Sequence, residues 1–252
     1  MDSTAERALS KVPEVTLVFW IIKILCTTLG ETGGDMVSMS MNLGYLVGTG
    51  IFAVFFIGFV IAQIKAKKFH PFLYWATIVA TTTVGTTMAD FADRSLGIGY
   101  TGGSSLLFAL LMASLGIWYW TMGSISINTV STPKVEMFYW VTIMFSQTLG
   151  TALGDWTADT AGIGYGGGVV FFLGLLAIVT AAYLWTKTSR VLLFWAAFIL
   201  TRPLGAVMGD LLDKPHDDGG LALSRYAASG ILLVVIVICV LIFPKRAAHA
   251  SH

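Results

Sequence analysis

Trp20, Gly30 and Asp35 stand in a spacing that returns unslipped at Trp75, Gly85 and Asp90, at Trp140, Gly150 and Asp155, and at Trp195, Gly205 and Asp210. An aromatic residue precedes each tryptophan (Phe19, Tyr74, Tyr139, Phe194), and a small one precedes each aspartate (Gly34, Ala89, Gly154, Gly209). Four copies in one register make the chain an internal repeat, and that constrains the fold before any other feature does. The repeats cover approximately residues 14–65, 71–127, 133–187 and 190–244 of a single domain, 1–252.

Hydrophobic residues make up 56% of the chain and charged ones 12%, too apolar a balance for a soluble domain of 252 residues. Spanning a bilayer takes roughly 20 apolar residues. Eight such windows can be drawn, at about 15–35, 43–63, 72–92, 104–124, 136–155, 169–186, 191–211 and 223–243, two to a repeat. The expected fold is an all-α membrane protein, eight transmembrane helices as four tandem helical hairpins around a pseudosymmetry axis. The odd helices are expected inside, because the even ones are nearly uniformly apolar and suit lipid. Pro13, Pro71 and Pro133 read as start signals for the first, third and fifth helices.

Arg7, Lys11, Lys65, Lys67, Lys68, Lys134, Lys187, Arg190, Lys245 and Arg246 fall on one side of this topology, against Arg94, Lys214 and Arg225 on the other. The positive-inside rule then puts both termini in the cytoplasm of a multi-pass protein of the cell membrane. The expected partners are the lipid bilayer and a small ion or solute, with no nucleic acid.

The repeat of two helices with a marked tryptophan resembles a bacterial family of membrane proteins defined by such a repeat and of unknown function. The resemblance runs from about Val15 to Phe243 and implies eight helices in a bacterial inner membrane, but no activity.

Activity must come from the residues. With the tryptophan as zero, positions +7, +11 and +15 share one face of a helix. That face carries Thr27, Thr82, Gln147 and Arg202 at +7, Glu31, Thr86, Thr151 and Ala206 at +11, and Asp35, Asp90, Asp155 and Asp210 at +15; Lys23 stands at +3 in the first repeat. Charges inside a membrane segment are expensive, by about 3 kcal/mol each even on gentle scales, and mark function by default. Glu31 and Arg202 are expected near mid-membrane, either as a site or as a pair fixing helix register. Four carboxylates at helix C-termini need something positive. A bound cation would supply it, and so would Arg94 and Lys214, four residues after two of them. Pro203 should kink the seventh helix beside Arg202. The tryptophans read as an interfacial belt, with a plug closing the inner end as the alternative.

No histidine falls in an expected helix, no hydrolytic triad or phosphate loop is present, and no cofactor is implied beyond a transported divalent cation. The chain therefore reads as a secondary transporter rather than an enzyme. Its cargo is a small cation, a hard ion such as Mn²⁺ held by Glu31, the four aspartates, Thr27, Thr82 and Gln147, coupled to protons or membrane potential. An anionic or zwitterionic solute held by Arg202, Lys23 and Gln147 is the alternative, and a scaffold without transport is a third reading.

Overall fold

The computed structural model describes residues 10–243 and 246–248; Arg7, Lys245, His249 and His252 lie outside them. It contains eight long helices: α1 (Leu17–Asp35), α2 (Tyr45–Lys65), α3 (Pro71–Asp90), α4 (Tyr100–Met122), α5 (Pro133–Asp155), α6 (Gly164–Trp185), α7 (Arg190–Asp213) and α8 (Arg225–Ile242). Pro71 and Pro133 open α3 and α5 as expected. Pro13 does not open α1. That helix starts four residues later behind the cap of Thr16, whose hydroxyl accepts from Phe19 N, while Pro13 pairs with Ala247.

The odd helices form a closed inner ring, α1 against α3, α3 against α5, α5 against α7 and α7 against α1. Their buried faces are long, whereas α2, α4 and α6 each bury only a few residues. The two helices of a repeat do not pack on each other as hairpins. Each even helix lies instead on the odd helix of the next repeat: α2 on α3, α4 on α5, α6 on α7 and α8 on α1. Single polar links mark this shift. The Ser114 hydroxyl on α4 lies 2.6 Å from that of Thr142 on α5, and Ser229 on α8 donates to Thr32 on α1 at 2.9 Å. Every repeat is thus locked to its successor, and the fourth to the first.

In the first three repeats the odd helix continues past its aspartate for one π turn, Met36–Ser40, Phe91–Ser95 and Trp156–Thr160. The aspartate consequently sits one turn before the helix end. Tight turns follow, with Gly44 and Gly99 at positive φ directly ahead of α2 and α4. The fourth repeat has no π turn; α7 runs through Pro203 to Asp213 as one continuous helix.

At the tryptophan end residues 10–13 and 246–248 lie over the ring. Val12 is fully buried, Ser10 donates to Ile127 O, and Lys11 reaches Glu136 at 2.6 Å and the carbonyls of Gln63 and Ile64 at 3.1 Å. The longer spacing between the second and third repeats is the connection 123–132 that receives this strap.

Among the described residues six helices are long and apolar enough to cross a membrane, one of them α1 with its π turn, the others α2, α4, α6, α7 and α8. The helices α3 and α5 fall short because their inward faces carry Thr81, Thr82, Thr86 and Thr87, and Ser146, Gln147, Thr148 and Thr151.

Candidate functional site

The motif residues meet in layers along the ring axis, about 6 Å apart for each four-residue step. In the first layer the aromatic before each tryptophan packs on the tryptophan of the next repeat. Phe19 lies 5.4 Å from Trp75, Tyr74 5.8 Å from Trp140, Tyr139 6.3 Å from Trp195, and Phe194 5.7 Å from Trp20. Tyr74 and Tyr139 also join hydroxyls at 2.6 Å. Trp75, Trp140 and Trp195 are buried in this ring while Trp20 is half-buried, so the belt reading fails for three of the four motif tryptophans; Trp120 and Trp185, exposed on even helices, remain suited to an interface. The aromatic ring packs as part of the buried core at this end of the bundle. Beside it a cavity of about 410 Å³ opens, lined by Phe19, Ile22, Trp75, Val240, Phe243 and Arg246 among others.

The second layer holds Lys23, Ile78, Ile143 and Phe198, all fully buried. Lys23 Nζ has no hydrogen-bond partner and lies 4.2 Å over the Phe198 ring.

Above it, each +7 side chain seats against the +10 glycine of the preceding repeat: Thr82 on Gly30, Gln147 on Gly85, Arg202 on Gly150 and Thr27 on Gly205. A Cβ on Gly85 would stand 3.0 Å from Thr148 N, so that helix pair packs backbone to backbone. The +11 side chains repeat the pattern one turn on, with Thr86 against Gly34, Ala206 against Gly154 and Glu31 against Gly209. Small residues at +10 and +14 are the holes into which the next helix's knobs fit, the role that small-xxx-small steps serve in membrane bundles.

Arg202 crosses the axis. Its Nη2 donates to Glu31 Oε2 at 3.0 Å and to the hydroxyls of Thr86 and Thr151, so one guanidinium gathers the +11 side chains of three other helices. Thr27 is engaged elsewhere, its hydroxyl reaching Ile24 O and Thr201 O. Thr82 Oγ1, both amide atoms of Gln147, and Arg202 Nε and Nη1 find no partner.

The outer layer joins the four aspartates through two cations. Arg94 bridges Asp90 at 3.0 Å and Asp155 at 3.5 Å; Lys214 bridges Asp210 at 3.0 Å and Asp35 at 2.7 Å. Each cation comes from an even-numbered repeat, so this layer is twofold where the aromatic and glycine layers are fourfold. Burial alone would lower the Lys214 ammonium, but Asp210, Asp35 and Asp213 outweigh it and hold it well above the ordinary lysine value. Arg225 adds a third cation, 3.0 Å from Asp213 and 3.7 Å from Asp35. Sequence reasoning missed its role because it enters on α8, which packs on α1 rather than on its own repeat.

Six buried carboxylates, Glu31, Asp35, Asp90, Asp155, Asp210 and Asp213, thus face four cations, Arg202, Arg94, Lys214 and Arg225, a formal excess of two negative charges. A further acid, Asp93, sits against Gly103 in the first turn of α4, where the helix N-terminus favours it. Oxygens of Glu31, Asp35 and Asp90 lie within 4.8 Å of one another, as do those of Asp35, Asp210 and Asp213. The two triads share Asp35, whose Oδ1 has no hydrogen-bond partner. Carboxylate sets of this kind suit hard cations.

A closed ring of four equivalent helices, with a charged axis and an apolar outer layer, defines a tandem-repeat helical protein. The pattern of the Repeat of Unknown Function (DUF347) matches residues 18–69, 73–124, 138–189 and 193–246, and the chain belongs to that family. No curated protein and no solved structure matches it.

Proposed function

We propose that this protein crosses the cell membrane eight times and moves a small cation, a hard divalent ion such as Mn²⁺, at the expense of a proton gradient or the membrane potential. Membrane residence is supported by the outer helices: Ile57, Leu106, Phe108, Val170, Ile178 and Ile231 stand exposed on them in a band that water would not tolerate. The basic residues at the aspartate end, Arg94, Lys214 and Arg225, are all in ion pairs, while those at the tryptophan end include Lys65, Lys67, Lys68, Lys134, Lys187 and Arg190. The tryptophan end is accordingly the cytoplasmic one.

The observation that carries the cation reading is the Glu31–Asp35–Asp90 cluster inside a carboxylate excess of two. Isolated charge in a low-dielectric interior is unstable, so the excess calls for a bound cation or for protons, and exchange between the two is what coupled transport requires. Glu31 is the exchange point. It can turn to the cation while Arg202 keeps Thr86 and Thr151 as partners. On the cytoplasmic side the aromatic ring must part for the ion to leave.

The test is thermal stability of the purified protein in detergent against Mn²⁺, Mg²⁺, Ca²⁺, Na⁺ and K⁺. An ion at 100 times its dissociation constant adds about 2.7 kcal/mol. Selective stabilisation by one divalent ion, lost in Glu31→Gln and Asp35→Asn, supports the reading. No response to any cation sinks it and leaves a scaffold whose charges only fix register.

A further inference from the structure

A second site lies below the carboxylates. Its members come from four different helices and converge by register. Thr82 and Gln147 stand one turn beneath Thr86 and Thr151, the two hydroxyls that Arg202 Nη2 holds. Lys23 stands in the next layer down, its Nζ over Phe198, which is one turn before Arg202 on α7. Thr27, one turn after Lys23, touches Thr201 O beside Arg202.

All four of these side chains are fully buried, and their polar atoms are idle: Lys23 Nζ, Thr82 Oγ1, Gln147 Nε2 and Oε1, Arg202 Nε and Nη1. Ammonium, guanidinium, amide and hydroxyl groups offer many N–H and O–H donors here, and the unpartnered acceptors among them are fewer, Gln147 Oε1 and the Thr82 hydroxyl oxygen. Water filling such a space brings as many donors as acceptors and leaves the surplus unmet. An acceptor without protons meets it. Ile78, Ile143 and Phe198, in the layer of Lys23, are fully buried apolar neighbours of this group.

We propose that Lys23, Thr82, Gln147 and the free edge of Arg202 form an occluded site for one small monovalent anion, a halide or a small carboxylate. It is separate from the cation cluster and shares with it only the Arg202–Glu31 pair. The anion would travel with the cation or remain as a fixed counter-charge, and in either case its binding is measurable without transport.

The experiment uses the full-length protein in detergent, with sodium gluconate exchanged for sodium chloride or sodium formate at constant ionic strength. Melting temperature and equilibrium dialysis with ³⁶Cl⁻ are the two readouts. Saturable stabilisation by chloride identifies a halide site and by formate alone a carboxylate site, and in Lys23→Met and Gln147→Leu the apparent affinity falls tenfold or more. Asp35→Asn keeps the anion response even where it loses the cation response, which separates this proposal from the previous one. No saturable binding of either anion to the wild-type protein overturns it, as does an undiminished response in Lys23→Met. If Lys23→Met does not fold, Gln147→Leu and the wild-type dialysis still decide.

Discussion

Replacing Gly205 with alanine tests the ring where its helices come closest. A Cβ there would overlap the Thr27 hydroxyl and stand 2.8 Å from the Thr27 backbone carbon, which no side-chain rotation can relieve. The helices α1 and α7 must separate, and with them goes the contact of Thr27 Oγ1 with Thr201 O at 3.1 Å. Overpacking of this kind costs about 1–3 kcal/mol, and the lost hydrogen bond about 1 kcal/mol more. Alanine returns at most about 1 kcal/mol through its better helix propensity. The net is a destabilisation of roughly 1–3 kcal/mol, or about 2–12 °C in melting temperature for a chain of this size. Gly174 on α6, around which a Cβ would meet nothing within 4 Å, is the control. Gly174→Ala should leave the melting temperature unchanged or raise it by up to about 4 °C. Scanning both proteins in the same detergent decides the matter. If Gly205→Ala melts as high as Gly174→Ala, the interlocking of +7 side chains with +10 glycines is wrong.

The other expectations concern the charged and polar layers. Lys214→Met strips the shared partner from Asp35 and Asp210, and breaking so buried a pair should cost about 3–5 kcal/mol, read as a fall in melting temperature that salt does not restore. Because the Lys214 pKa is raised in the folded protein, its contribution is present below the unfolded value of about 10.4 and is lost only as pH rises through the higher folded value. Stability between pH 8 and 10 should therefore not fall by the amount that Lys214→Met removes. Tyr74→Phe and Tyr139→Phe each leave a buried hydroxyl alone and should cost about 1 kcal/mol, while the double variant costs less than the two singles combined; strict additivity would deny the 2.6 Å bond. Asp35→Asn should lose less stability than Lys214→Met in metal-free buffer, since Lys214 keeps Asp210 and the new amide oxygen can still accept from it.

The inner ring was legible in the sequence because a repeat with fixed spacing defines which residues share a helix face. The Trp, Gly and Asp register and the apolar even helices therefore locate the axis, the odd helices and their polar face. A helical wheel gives a face and not a neighbour. That the partner of Gly30 is Thr82, and of Gly85 Gln147, depends on each helix packing against the next repeat, which the spacing alone does not encode. The same displacement put α8 on α1 and brought Arg225 to Asp35. The tryptophans misled because an interfacial ring of aromatics and an axial plug have the same depth and differ only in azimuth. Arg94 and Lys214 were visible at four residues from an aspartate each, but their second partners, Asp155 and Asp35, lie on other helices.

Transport itself is the most direct trial of the central claim. The protein is reconstituted into liposomes loaded with a dye quenched by Mn²⁺, and quenching is followed with an inward pH gradient, an outward one and none. The account predicts quenching faster than in protein-free liposomes, dependent on the gradient and abolished in Glu31→Gln and Asp35→Asn. Quenching no faster than in protein-free liposomes, with Mg²⁺, Ca²⁺ and Na⁺ probes equally silent, would contradict it.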